Sequence, residues 1–334
     1  MSDLSQHNHN TWPRRNPVGV LYPSTNIEEM SMALGIKAYE AVLDVGGGAN
    51  PLPEASAVVE NNINSSHDRD GQAATVDRRS IAADIESLPF PDKSFDFVFC
   101  SHVLEHVRNP VQACNELMRV GKRGFIETPR KLAELVAGYP SHRWLIDVID
   151  GVLTFERRWF VEHPLQNMGL AHILNYDSAR EQALVNFRNL TCVQFTWDQQ
   201  FDYKIIERDG WQELFDYDNP EHAGWSHFYF SLNLLANGTP MLHVKPHIDI
   251  ALEKLPCEGV VYALEGVWKG IMGNGEEARQ SFAKAKFLEC NDESLIANIQ
   301  LLEANSTETG KNFQLPFRRG PVRANRNEPS WNMS

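Results

Sequence analysis

The sequence predicts an α/β fold in which a mostly parallel sheet ends in an antiparallel hairpin and is followed by a group of C-terminal helices. Short apolar runs alternate with segments of helical spacing in the first half of the chain, which is the pattern of βαβ units. Residues 190–196 and 202–206 flank a polar tip, and this arrangement predicts the hairpin. Beyond about residue 240 the apolar spacing is helical.

Shifts in composition divide the chain into four segments. Residues 1–26 are polar and contain three prolines, so an irregular N-terminal arm is expected. Residues 27–240 hold the alternating pattern and are predicted as the α/β domain. Residues 241–304 are predicted as a helical appendage, and residues 305–334, with four arginines among polar residues, as a flexible tail.

Within the α/β domain, short apolar runs bounded by turn residues or charges are predicted as buried strands. These runs are residues 41–45, 57–59, 81–83, 95–100 and 124–128. Helical spacing precedes the first strand at residues 27–39 and follows the fourth from Val103 to Met118. The segment between the first two strands contains Pro51 and Pro53, so a turn is expected there instead of a regular helix.

Composition excludes some classes of protein. The 334 residues are 42% hydrophobic and carry a formal net charge of -13, which fits a packed core and disfavours nucleic acid as the main partner. The five cysteines are widely spaced and include no Cys-x-x-Cys pair, as in reduced cytoplasmic proteins. No signal peptide or stretch of about 20 apolar residues is present, so the prediction is a cytoplasmic protein without a membrane span.

The main sequence signal for a ligand site is the glycine run at residues 46–48, directly after a buried strand. Glycines there allow a ligand to approach the backbone closely. The dinucleotide fingerprint is not met, because its third glycine position is Pro51 and the acid after the second strand, Glu60, comes early. No Gly-Lys-Ser/Thr sequence follows, which argues against a nucleotide phosphate loop.

Three motifs in order resemble the class I S-adenosylmethionine-dependent methyltransferases, in particular the type 11 domain and the members similar to quinone-biosynthesis methyltransferases. They are the glycine motif at residues 44–48, the segment 83–90, and the strand and following residues 95–107. The resemblance covers about residues 40–130. It implies a Rossmann-like sheet and S-adenosylmethionine as the cofactor.

The resemblance also implies roles for residues around the methionine part of that cofactor. Gly46 and Gly48 would admit it, and Asp44 would face its ammonium group directly or through water. Ser101 and His102 would line the sulfonium side of the pocket.

The nucleoside part would be held by three further residues. Glu60 would accept hydrogen bonds from both ribose hydroxyls, a bidentate task that suits a carboxylate. Asp84 would accept from the adenine amino group, while Ile85 packs on the ring. The alternatives are an ordinary strand-end charge for Glu60 and a helix or turn cap for Asp84.

Two histidines are candidates for catalysis or substrate contact. His106 lies four residues after His102 on the helix predicted there, a spacing that can bind metal, but Val103 stands where the His-Glu-x-x-His pattern needs glutamate. No metal is therefore expected. His142 lies in the sequence 141–144, Ser-His-Arg-Trp, which is either a substrate-facing segment or a surface turn with a packed tryptophan.

The C-terminal part has a resemblance of its own. Helices are predicted at residues 260–272 and 276–288, and a third begins near residue 294. Their small and apolar residues resemble a tetratricopeptide repeat; they are Leu264, Gly266, Ala278, Phe282 and Ala285. A simple helical hairpin is the alternative, and either would serve as an appendage or as a contact with a partner protein or a second copy. The aromatic run at residues 225–230 is predicted to be core.

The expected function is S-adenosylmethionine-dependent methyl transfer by in-line displacement to a small-molecule or glycan acceptor, with a hydroxyl favoured. The cofactor already carries the activated group, so a general base is not obligatory, and His106 and His142 are its candidates. No Asn-Pro-Pro-Tyr sequence follows the fourth strand, which argues against DNA bases. The alternatives are a non-catalytic methyltransferase-like module that recruits a protein, or an NAD(P) or nucleotide-sugar oxidoreductase, which the glycine spacing disfavours.

Overall fold

The computed structural model describes most of the chain in two compact units. The described residues are 32–61, 63–64, 73–137, 139–160, 191–208, 213–236, 240–304 and 313–316. The predicted arm at residues 1–26, the first residues of the helix predicted at 27–39, and most of the tail lie outside them. One unit comprises residues 1–159 and 169–215, and the other comprises residues 160–168 and 216–334. The four predicted segment limits stay predictions.

Nine strands are described, all in the first unit. They are β1 Val42–Val45, β2 Ala57–Glu60, β3 Ser80–Ala82, β4 Phe95–Ser101, β5 Gly121–Pro129, β6 Trp144–Ile149, β7 Val152–Arg157, β8 Cys192–Asp198 and β9 Tyr203–Ile206. Six form one sheet in the order β3-β2-β1-β4-β5-β8, with β8 antiparallel to β5 and the other neighbours parallel. The predicted mostly parallel, Rossmann-like sheet is confirmed.

Both faces of this sheet are covered, which explains why its central strands are continuous apolar runs. Successive side chains of a strand point to opposite faces, so Leu43 and Val98 pack in one apolar cluster, whereas Val42, Phe97 and Phe99 pack in another. All five are at most 2% exposed. The carboxyl ends of the strands therefore lie at the edge of a sheet whose two faces are both packed.

Two α-helices and one short 3-10 helix are described beside this sheet: the 3-10 helix Ile85–Ser87, α1 Pro110–Val120 and α2 Lys131–Ala137. The prediction that a helix runs on from Val103 is wrong, because α1 begins only at Pro110. Asn109 caps it by accepting a hydrogen bond from the backbone N–H of Gln112, and proline favours the first helical position. The turn expected between β1 and β2 is confirmed.

The hairpin prediction is wrong, although both of its strands exist. Strand β8 pairs with β5, while β9 joins a second sheet, β6-β7-β9, in which it runs parallel to β7. Trp197 of β8 lies directly over Gly124 of β5, where a Cβ would come within 2.8 Å of its ring. Gln199 then takes a left-handed φ of 61° that turns the chain away from the first sheet.

The second unit is helical. Its helices are α3 Pro220–Ala236, α4 Met241–Lys254, α5 Gly259–Ile271, α6 Gly275–Phe287 and α7 Glu293–Glu303. The three predicted C-terminal helices are confirmed to within about a residue, and the aromatic run at residues 225–230 is buried in α3 as predicted. The likeness to a tetratricopeptide repeat stays a prediction. Among the described helices, each is too short or too polar to cross a bilayer.

Close packing of α5 on α6 depends on Gly266. A Cβ built at this glycine would lie 2.4 Å from the ring of Phe282, which is 1% exposed and surrounded by core residues. A contact that short requires one of the two helices or the ring to move.

We expect Gly266→Ala to lower the free energy of unfolding of the protein by about 1–2 kcal/mol, because overpacking outweighs the gain in helix propensity. Gly275→Ala is the matched control, since a Cβ there meets only Leu302 at 3.9 Å. Urea unfolding followed by circular dichroism measures both. Equal stability of the two variants would show that the helices do not need the close approach.

Candidate cofactor and acceptor site

The glycine loop after β1 lies at the carboxyl edge of the sheet, where open α/β sheets bind ligands. Gly46 and Gly48 have φ of 79° and 54°, the left-handed region that favours glycine. A Cβ at Gly46 would lie 2.2 Å from Cγ2 of Val103, so the loop touches the segment that follows β4. The two halves of the predicted cofactor site are therefore adjacent.

Glu60, at the end of β2, is held against the same loop. Its Oε2 accepts a hydrogen bond from the backbone N–H of Gly48 at 3.1 Å. The carbonyl of Gly48 in turn accepts from the N–H of Thr75 at 2.8 Å. Glu60 therefore lies beside the glycine loop. Its role as the residue that binds the ribose stays a prediction.

Asp44 is a buried carboxyl group at the exit of β1. It is 1% exposed, and its Oδ2 accepts a hydrogen bond from the N–H of Leu52 at 2.6 Å. Burial, together with the nearby charge of Glu60, raises the pKa of Asp44 to about 7, while the Leu52 hydrogen bond and the charge of Arg79 oppose the rise. The group therefore changes charge near neutral pH.

Asp84 and Ile85 lie beyond β3. Asp84 caps the 3-10 helix, with its Oδ1 accepting from the N–H of Glu86 at 2.9 Å, while its Oδ2 lies 3.5 Å from the Asn61 amide. The cap that was the alternative for Asp84 is thus present, and it uses one of the two carboxylate oxygens. Ile85 is 5% exposed and packs in the core cluster beneath the edge.

Ser101 ends β4, and His102 follows it in a left-handed conformation with a φ of 55°. This is an uncommon conformation for a residue with a side chain. Its ring lies between two carboxylates, with Nδ1 3.3 Å from Glu105 and Nε2 3.3 Å from Glu127. The His102 side chain is 41% exposed, so burial opposes protonation of its ring only weakly, and the two carboxylates raise the pKa of His102 well above its usual value.

The fold brings His106 and His142 together, although they are distant in sequence. Their rings meet edge to face with centroids 4.6 Å apart. Nδ1 of His142 lies 2.6 Å from Oε1 of Glu134, and Nδ1 of His106 lies 3.3 Å from the hydroxyl of Ser141. The surface-turn interpretation of residues 141–144 is wrong, because all four are less than 9% exposed.

Sequence reasoning missed three buried glutamates in this region: Glu105, Glu127 and Glu134, which are 0%, 1% and 4% exposed. The signal for Glu127 was its place at the end of a buried strand. Glu105 falls in a segment that was predicted to be helical, and no sequence pattern indicated a role for Glu134. The carboxyl ends of β4 and β5 therefore carry several more charged groups than expected.

Glu105 is the most enclosed of these groups. Its Oε2 accepts a hydrogen bond from the hydroxyl of Thr128 at 2.8 Å. Burial alone would raise the pKa of Glu105, but its ion pair with His102 and the charges of His106 and His142 lower it to about 2. The carboxylate is therefore ionised at neutral pH.

Comparison with known proteins identifies part of the chain. Residues 43–126 match the family model described as a methyltransferase domain. The chain is 32% identical over 130 residues to the ubiquinone/menaquinone biosynthesis C-methyltransferase UbiE of Azotobacter vinelandii, a match that covers 35% of this chain and 49% of that protein. The UbiE of Ectopseudomonas oleovorans is 33% identical over 104 residues, covering 27% of this chain and 61% of that protein.

Among solved structures, the YcgJ protein of Bacillus subtilis is similar with 23% identity and a TM-score of 0.27, covering 35% of this chain and 59% of that protein. The chain spans less than two thirds of the length of each of these relatives. The match of residues 43–126 to a methyltransferase domain agrees with the resemblance seen in the sequence. The family match also supports S-adenosylmethionine as the cofactor.

We expect Asp44 to contribute a stability that falls as pH rises from about 4 to 7, since its carboxyl group binds its proton more tightly in the folded chain than in the unfolded one. Asp44→Asn should remove up to about 1.4 kcal/mol per pH unit of this slope. Urea unfolding at several pH values measures it, with the exposed Asp249→Asn as control. An unchanged slope in Asp44→Asn would contradict the burial argument.

Proposed function

We propose that this chain is an S-adenosylmethionine-dependent methyltransferase acting on a small molecule. The observation that carries the proposal is the convergence of the glycine loop, Glu60 and the segment 101–103 at one edge of the sheet. The family match over residues 43–126 supports it. A shared fold alone would not, because one fold serves many functions.

In this proposal the chain binds the cofactor along the carboxyl ends of β1, β2 and β4. The backbone of Gly46 and Gly48 would border the methionine part, and the carboxylate of Asp44 would attract its ammonium group. Binding of that cation would favour the ionised form of Asp44 over the protonated one. Glu60, which already accepts a hydrogen bond from the Gly48 N–H, would also accept hydrogen bonds from the ribose hydroxyls.

The adenine would lie over Ile85, with Asp84 as acceptor for its amino group. One oxygen of Asp84 remains engaged in capping the 3-10 helix, so the other, Oδ2, is the one for the amino group. Ser101 and His102 would then border the sulfonium. The positive charge of His102 is balanced there by Glu105 and Glu127.

The acceptor would enter on the side of His106 and His142. Bound S-adenosylmethionine supplies an activated methyl group, and the chain has to align the acceptor, exclude water and take up any proton released. Glu134 fixes the ring of His142 through Nδ1, so Nε2 would receive the proton of an acceptor hydroxyl. A glycan hydroxyl is a further candidate for the methyl acceptor, since its methylation would proceed by the same chemistry.

Two alternatives follow from specific observations. The matched relatives are named as C-methyltransferases of quinone biosynthesis, which makes an acceptor carbon the second candidate. The separate helical unit is the reason to keep a non-catalytic module that recruits a protein partner or a second copy. A cytoplasmic location stays a prediction.

S-adenosylhomocysteine should raise the melting temperature of the protein, because a ligand that binds only the folded chain stabilises it by mass action. NAD should have no effect. Asp84→Ala should weaken the response by about 10-fold in apparent Kd through the lost adenine contact, whereas Asp92→Ala, an exposed aspartate of the same unit, should not. No stabilisation at millimolar S-adenosylhomocysteine would overturn the cofactor assignment.

Turnover is tested separately with S-adenosylmethionine carrying a deuterated methyl group and a cell metabolite extract. We expect one product mass to gain the labelled methyl, and the position of the label by NMR to distinguish oxygen from carbon. His142→Ala should lower kcat by about 100-fold or more while the S-adenosylhomocysteine response stays intact. Binding without any labelled product would favour the non-catalytic module.

A further inference from the structure

Three side chains from the segments after β4 and before β6 form a cluster that has no assigned role in the proposed cofactor site. One ligand atom each of Glu105, His106 and His142 lie within 4.8 Å of one another. Glu105 is fully buried, His142 is 8% exposed, and His106 is half-buried. Two imidazole nitrogens and a carboxylate oxygen thus face a single small volume.

Each of these three side chains is also held by a hydrogen bond to a neighbour. Glu134 engages Nδ1 of His142 at 2.6 Å, so its Nε2 is the nitrogen left to act as a ligand. Ser141 engages Nδ1 of His106, and the hydroxyl of Thr128 donates to Oε2 of Glu105. Such outer partners fix ring tautomers and directions in metal sites.

Charge in this cluster is also unusual for a protein interior. The ion pairs of Glu105 and Glu134 within the described residues are made only with His102 and His142. Oε1 of Glu105 has no hydrogen bond from the described residues and only the ion pair with His102. Oε2 of Glu134 is likewise buried without a hydrogen bond in the described part of the chain. Buried carboxylates are normally paired with cations or bound to metal.

We propose that Glu105, His106 and His142 bind one divalent transition-metal ion, with zinc(II) the best fit. Two histidines and one carboxylate with an open fourth position are a common zinc ligand set. Ligands of a tetrahedral zinc lie roughly 3.3 Å apart, so modest side-chain rotations would close the site. His102 would keep Glu127 as its partner when Oε1 of Glu105 turns to the cation.

This site differs from the His102–His106 pair that the sequence spacing brought to attention. His102 stands outside it as a charged neighbour, and the second histidine comes from a distant segment. The metal proposal does not depend on the proposed methyl transfer. With a cation bound, His106 and His142 are ligands, so the proton-acceptor role of His142 belongs to the metal-free protein.

The test is titration of the metal-free full chain with zinc(II) alone, in competition with a chromophoric chelator. All proteins carry His7→Ala and His9→Ala, because histidines near the N-terminus can bind zinc by themselves. We expect one equivalent bound per chain. His142→Ala and His106→Ala should each weaken binding by more than about 100-fold, and Glu134→Gln, which removes only an outer partner, by about 10-fold.

His243→Ala is the matched control and should bind as the parent does. Cobalt(II) in place of zinc should give a visible absorption band that His142→Gln abolishes, a readout of coordination that does not need activity. Thermal unfolding checks that each variant folds. If the alanine variants do not fold, the test rests on Glu134→Gln. No stoichiometric binding by the parent, or zinc binding unchanged in Glu134→Gln and the ligand variants, overturns the proposal.

Discussion

The buried carboxylate of Glu105 holds together the carboxyl edge of the sheet on which the candidate site is built. It has no contact with water, yet it is ionised, because His102 pairs with it and Thr128 donates to it. Its backbone carbonyl also accepts hydrogen bonds from the N–H groups of Arg143 and Trp144. One residue thus fixes the loop after β4 to the end of β5 and to the start of β6.

The contacts of Glu105 explain the backbone conformation that follows β4. His102 takes a left-handed conformation, which carries a free-energy cost for a residue with a side chain and persists only where surrounding contacts enforce it. The contacts are its ring pairing with two buried glutamates and its backbone hydrogen bond to the carbonyl of Glu127. The same path brings Val103 against Gly46, so the glycine loop after β1 contacts the segment that follows β4.

The arrangement has consequences for chemistry at this edge. Positive charge on His102 is confined between carboxylates, and His142 is oriented by Glu134. A cofactor that brings a sulfonium, an acceptor that loses a proton, and a divalent cation would each respond to this concentration of negative charge.

The sequence by itself determined the strands of the first sheet, the glycine loop and the acids that follow β2 and β3, because those features depend on residues close together in the chain. It also determined the C-terminal helices, whose apolar spacing is local. It misplaced the start of α1, since helical spacing continues through residues 103–109 although Asn109 and Pro110 set the true beginning. Only the tertiary structure decided the partner of β8, where Trp197 packs on Gly124, and the meeting of His106 with His142. Such contacts join distant segments through packing and buried charge, and local periodicity carries no information about either.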